Sequence, residues 1–174
     1  MLADWLAEFR LASGKPVALQ GAGVGTFDAS STDGVLQLIS GNAGKSPAGA
    51  PDAGGFTGWS LIGINPDITP VPLTERRWEA PADWIRVAMT PHVDDLTLTA
   101  PATARVGEVV KVSAEVVQAG RRVPVSYPVA ADWTVSGGAS FNAATGALSA
   151  RAAGTYTVSV TVNGVTRSAE VRIG

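Results

Sequence analysis

Cysteine is absent from the 174 residues, and its absence excludes disulfides, thiol catalysis and Cys-ligated zinc. Histidine occurs once, as His92. Charge is sparse: 16% of residues are Asp, Glu, Lys or Arg, and they sum to a net −2, which leaves no electrostatic footprint for nucleic acid. No apolar run approaches the roughly 20 residues of a membrane span. Met1 leads straight into an amphipathic pattern without a basic leader or a continuous apolar core, so no signal peptide is expected. Glycine and proline are plentiful, at 20 and 11 residues, which suits a turn-rich β protein better than a helical one. The length allows one large domain or two small ones.

The strongest local signal lies at the end of the chain. Thr155–Val162 and Val165–Ile173 are alternating runs on either side of Asn163-Gly164. That pattern signals a hairpin closed by a type I′ turn, in which both turn residues take positive φ. With Val162 facing Val165, Tyr156, Val158, Val160 and Val162 share a face with Val171, Ala169, Arg167 and Val165. The other face carries Thr155, Thr157, Ser159 and Thr161 against Arg172, Glu170, Ser168 and Thr166. One side is apolar and the other hydroxylic or charged, as a sheet with one buried face requires. Arg167 alone breaks the pattern, and near the turn its long stem lets the head reach water.

Short alternating segments precede the hairpin at intervals of about ten residues: 96–100, 109–117, 122–127, 131–135, 139–141 and 146–150. In 109–117, Val110, Val112, Ala114 and Val116 fall on one face, opposite Lys111, Ser113 and Glu115. Some seven strands over about eighty residues predict an immunoglobulin-like β-sandwich, with Trp133 as a buried core residue. Thr90–Asp95 reads as a linker, which sets domain boundaries at 1–92 and 95–174.

The front part is thinner. Residues 2–12 place Leu2, Trp5, Leu6 and Phe9 at i, i+3, i+4 and i+7, predicting a helix that stops near Gly14 and buries this stripe, Trp5 and Phe9 included, in a core. Strands are expected at 16–20, 34–40, 58–64 and 84–89. Between them lie an irregular, mobile loop at 46–57 and a proline-punctuated connection through Pro70 and Pro72 to Glu75–Trp78. One helix and about four strands are little for an independent core, so this part reads as the edge of something larger. Two nucleotide-binding lookalikes fall here. Gly21-Ala-Gly-Val-Gly25 puts Thr26 where the dinucleotide fingerprint needs its third glycine, and Asp28–Gly34 reads as a turn rather than a helix. Gly44-Lys45-Ser46 imitates the end of a P-loop, but Ile39 stands where its first glycine belongs and prolines follow at 47 and 51. Both are read as tight turns leaving strands.

Trp133-Thr-Val-Ser136, Asn142-Ala-Ala-Thr-Gly-Ala-Leu-Ser-Ala150 and Ala153-Gly-Thr-Tyr-Thr-Val-Ser-Val-Thr-Val-Asn-Gly164 together resemble bacterial Ig-like repeat domains, over 95–174. The resemblance implies a spacer, stalk or wall-associated module of a secreted or surface protein. Lys15–Gly21, Asp33-Gly-Val-Leu-Gln-Leu-Ile-Ser-Gly-Asn-Ala-Gly-Lys45 and Gly54-Gly-Phe-Thr-Gly-Trp59 resemble the C-terminal end of a secreted bacterial calcineurin-like metallophosphoesterase. Where that family places its last metal-binding histidines, this sequence reads Ala22-Gly-Val-Gly-Thr-Phe-Asp28, and the family's earlier ligand blocks have no counterpart. A two-metal site needs several His, Asp and Asn ligands converging on ions about 4 Å apart.

The expected fold is therefore mainly β: a C-terminal Ig-like β-sandwich preceded by a small α+β segment resembling the edge of a metallophosphoesterase sandwich. No catalytic, cofactor-binding or metal-binding residue is assigned, and no cofactor is expected. His92 with Asp94 and Asp95 is read as a hydrogen-bonded turn in preference to a cation site. Asp28 and Asp33 are read as turn residues in preference to relics of a ligand loop. No serine sits in a nucleophile elbow that would make a triad with His92. The resemblance implies a non-catalytic C-terminal portion of a secreted metallophosphoesterase-like protein, whose Ig-like module is a spacer or surface attachment, located outside the cell as part of a longer precursor. One alternative is an adhesive module for cell-wall polysaccharide or protein, in which Trp59, Trp78 and Trp84 form an aromatic platform; against it, Trp59 and Trp84 are read as core. Another is an interaction protein that self-associates through exposed strand edges. Neither nucleic acid nor a membrane span is expected.

Overall fold

The structure, a computed structural model, describes residues 2–44, 46–64, 85–126 and 128–174. Among them one α-helix stands against fifteen strands, so the chain is mainly β. It divides into two compact units, Met1–Thr90 and Pro91–Gly174.

The first unit opens with α1, Leu2–Ser13. Asp4 in its first turn and Arg10 in its last complement the helix dipole. It ends where Gly14, at φ 64°, returns its N–H to Arg10 O at 3.0 Å. Three strands follow: β1 Val17–Ala22, β2 Asp28–Thr32 and β3 Val35–Ser40. They form a sheet in the order β1-β3-β2, with β1 parallel and β2 antiparallel to β3. A 3-10 turn at Pro51–Ala53 precedes β4 Gly58–Ile64, which pairs with β5 Ile85–Pro91. Val17, Phe27, Val35, Leu36, Leu38 and Phe56 are buried, as are Ile85, Val87 and Met89 on β5.

Two expectations for this unit need correction. The stretch Asp28–Gly34, expected as a turn, is a strand plus a two-residue hairpin turn: Thr32 faces Val35, and Asp33 and Gly34 stand at φ 50° and 73°. The apolar stripe of α1 is not core. Trp5 is 60% and Phe9 47% exposed, their rings stacked at 5.8 Å, and Leu2 is exposed beside them. Of the stripe only Leu6 turns inward, and the helix packs on β1 and β3 through half-buried Leu6, Ala7 and Arg10, a face centred about a third of a turn round from Leu2, Trp5 and Phe9 at 100° per residue. Arg10 draws it there, because its Nε donates to Asp33 O at 3.2 Å and its guanidinium lies over Gly34.

The second unit contains β6 Asp95–Thr99, β7 Thr103–Ala104, β8 Val110–Lys111, β9 Ser113–Gln118, β10 Arg121–Pro124, β11 Asp132–Val135, β12 Ser140–Asn142, β13 Ala147–Ser149, β14 Gly154–Val162 and β15 Val165–Ile173. The paired orders are β10-β9-β6, β12-β13-β8 and β11-β14-β15-β7. Between β8 and β9 stands only Val112, whose N–H goes to Gly146 O at 2.8 Å, so the first two groups share one extended run. Val112 and Leu148 from this group meet Tyr156, Val158, Val171 and Ile173 from the other in one buried cluster. Two sheets around a shared apolar core are the arrangement of a β-sandwich.

The closing hairpin has the expected register throughout, from Val162↔Val165 to Thr155↔Arg172, with Asn163 and Gly164 at φ 46° and 80°. The face of Val112, Ala114 and Val116 is buried, with Val110 half-buried beside it. Trp133 is half-buried rather than buried and lies tilted against Phe141 at 5.0 Å. The expected linker is shorter than Thr90–Asp95: β5 runs to Pro91 and β6 starts at Asp95, leaving 92–94 between them. The strand expected at 122–127 spans Arg121–Pro124, and Tyr127 lies outside the described residues. Beyond Pro101 the chain changes sheets, because β6 pairs with β9 while β7 pairs in parallel with β15.

Candidate functional site

Because β1 and β3 are parallel, their carboxyl ends deliver two loops to the same side of the sheet. In such sheets ligands bind outside those ends. The first loop carries Gly23 and Gly25, at φ 92° and 78°, into Phe27. The second carries buried Asn42 and the segment 46–57. That segment, expected as a mobile loop, is tied down: Ala48 N–H donates to Gly25 O at 2.8 Å and Phe27 N–H to Gly54 O at 2.9 Å, and Phe27 stacks on Phe56 at 4.5 Å. Gly54 is required here, since a Cβ would stand 1.9 Å from Phe27 O at a backbone φ of 83°. Asn42 is 1% exposed. Its Nδ2 donates to Gly25 O at 2.5 Å, its own carbonyl accepts Gly58 N–H at 2.9 Å, and its Oδ1 has no partner. Asn42 thus fastens one loop to the other.

Among the described residues, Ala22, Gly23, Val24, Gly25, Thr26 and Phe27 bring no carboxylate or imidazole to the join. Asp52 on the second loop is exposed, and the carboxylate that follows the first loop is occupied. Asp28 Oδ2 accepts Ser30 Oγ at 2.6 Å and Gln37 Nε2 at 3.2 Å. Asp33 forms the β2–β3 turn and gives its carbonyl to Arg10. This donor set does not fit a two-metal phosphoesterase centre. Lys45 of the P-loop lookalike lies outside the described residues.

His92, Asp94 and Asp95 form a set of clamps in the second unit. His92 Nε2 lies 3.0 Å from Asp94 Oδ1, and the His92 carbonyl accepts Gln118 Nε2 at 2.6 Å. Asp94 Oδ2 accepts the Ala119 N–H at 2.7 Å, steadying a two-residue turn in which Ala119 has φ 45°. Asp95 Oδ1 accepts its neighbour Leu96 N–H at 2.8 Å and Arg167 Nη2 at 2.6 Å. The Ala119 N–H, aided by His92, holds the Asp94 carboxyl below its ordinary 3.8, and the Leu96 N–H with Arg167 does the same for Asp95. Among the described residues no group of three or more His, Asp and Glu side chains comes together as a metal site.

The tryptophans divide. Trp59, expected in the core, is 51% exposed on β4, and Leu61 two residues on is exposed on the same face. Trp78 and Trp84 lie outside the described residues. Reading Trp5, Phe9 and Trp59 as core assumed that a local stripe finds cover within its own unit; no feature of the sequence distinguishes a covered stripe from a bare one. Comparison with protein-family models finds no match, and comparison with curated proteins finds none.

Proposed function

We propose that the chain is a non-catalytic C-terminal portion of a secreted metallophosphoesterase-like protein, ending in an Ig-like module that acts as a spacer or surface attachment. The observation that carries the non-catalytic half is the first loop of the join at the carboxyl ends of β1 and β3: 22–27 is Gly, Ala, Val, Thr and Phe where a metallophosphoesterase would need histidine ligands, and buried Asn42 uses its Nδ2 to fasten that loop. Exposed apolar faces on α1 and β4 support the companion idea that the first unit lies against a further layer. The Ig-like half draws support from the strand order. An opening strand is split between the two sheets, with its second piece parallel to the last strand, and a tryptophan strand, β11, lies next to β14. The test is hydrolysis of a chromogenic phosphodiester with manganese, iron or zinc. No turnover is expected; metal-dependent turnover that a chelator abolishes overturns the reading.

Exposed Trp59 and Leu61 favour a second reading, an adhesive module that stacks a glycan on β4. Titrating tryptophan fluorescence with cell-wall polysaccharides separates the two: a saturable shift lost in Trp59→Ala supports adhesion, and no shift with any glycan leaves the spacer reading.

A further inference from the structure

The last strand has an open edge. β15 is nine residues long and pairs with β14 along its whole length. On its other side β7 covers only Arg172 and Ile173. The Arg172 and Gly174 N–H groups point to that side, donating to Ala102 O and Ala104 O at 3.0 and 3.1 Å. Backbone groups alternate along a strand, so the N–H and C=O groups of Thr166, Ser168 and Glu170 face the same way, and among the described residues no strand is hydrogen-bonded to them, although β6 of the other sheet comes close to β15. All three residues are exposed. Such an edge is a template for another chain.

One side chain lies across it. Arg167 belongs to the inner face, opposite Val160, which is fully buried among Tyr156, Val158, Val162 and Val171. Its guanidinium turns out to the edge instead. Nη1 donates to the Thr166 carbonyl at 3.1 Å, one of the outward-facing acceptors, and Nη2 is anchored on Asp95 of β6 at 2.6 Å. Asp95 is held in turn by the Leu96 N–H. We infer that Arg167, anchored by Asp95, is a latch that closes the β15 edge against strand addition, and that the occupant it excludes is the same edge of a second copy. A second copy fits because antiparallel self-pairing about Ser168 places Thr166 opposite Glu170 and Arg167 opposite Ala169, with no like charges face to face. It matches the three outward residues in about six backbone hydrogen bonds, and a two-fold axis closes the pair. The inference is independent of the function proposed above.

Sedimentation of the full chain over a wide concentration range tests it. Arg167→Val is expected to shift the mass from the wild-type value toward twice that value as concentration rises. Adding Ser168→Pro is expected to return it to wild-type behaviour, because this removes an outward N–H that the β14–β15 ladder does not use. Asp95→Ser frees the guanidinium without altering β15 and is expected to shift the mass in the same direction, by less. It decides the matter if Arg167→Val does not melt cooperatively. Sedimentation of the folded variants identical to wild type, or association that persists with Ser168→Pro, overturns the inference.

Discussion

Asp33, Ala119 and Asn163 are the non-glycine residues with positive φ among those described, and a glycine follows each. Each pair closes a two-residue hairpin: Thr32 faces Val35, Gln118 faces Arg121 and Val162 faces Val165. Asn and Asp visit this region readily, whereas alanine crowds its Cβ against the backbone. Ala119 is held in place by the Asp94 carboxylate on its N–H. Ala119→Asn keeps that bond and adds a side-chain amide that can hydrogen-bond locally and offset the crowding, so it is expected to stabilise the chain by about 0.5–1 kcal/mol, read as a raised midpoint in chemical denaturation. Acid should act on the same corner. Asp94 and Asp95 have folded pKa values below 3.8, so the stability they lend is fully present above that pH and is lost as pH falls through the lowered values. Melting temperature followed from pH 7 into acid is expected to fall less steeply in the Asp94→Asn, Asp95→Asn double variant than in the wild type.

Strands that alternate in apolarity could be read from the sequence, and those that do not could not. The β14–β15 register followed from Asn163-Gly164 and the valines flanking it, because a one-residue slip would turn every valine outward. β2 escaped notice because Asp28-Ala-Ser-Ser-Thr32 has no apolar alternation; it is a strand because β3 needs a partner and Asp33-Gly34 supplies the turn. β7 is two residues long, too short to leave a pattern. The helix was legible as a helix, but its orientation was not, since that depends on an arginine contact twenty-three residues away. At the candidate site, the absence of histidine between Ala22 and Asp28 was plain, whereas the buried Asn42 bridge was not, because it depends on two loops meeting in space. Another meeting of this kind controls the middle of the sandwich. Gly146, at φ 69°, lets the β12–β13 hairpin approach so closely that a Cβ would stand 2.1 Å from Val112 O. Gly146→Ala is expected to cost more than about 2 kcal/mol, measured by chemical denaturation, because the hairpin must withdraw and break the Val112 N–H bond.

For the whole molecule, the two units differ in self-sufficiency. The second encloses an aliphatic core, with Leu96, Leu148, Val158, Val160, Val162 and Val171 at most 1% exposed. The first leaves Leu2, Trp5, Phe9, Trp59 and Leu61 in water. Residues 91–174 expressed alone are therefore expected to fold and melt in one cooperative transition; a fragment without a cooperative melt would show that its core depends on the first unit.

The parallel contact of β7 with β15 has a mechanical consequence. Tension applied between residues 91 and 174 pulls these two neighbours past one another along their length. The bonds from Arg172 to Ala102 and from Gly174 to Ala104 then bear the load together, in shear, instead of opening in succession like a zip. A tether stretched between an anchored surface and a bulky cargo resists best when loaded in that direction.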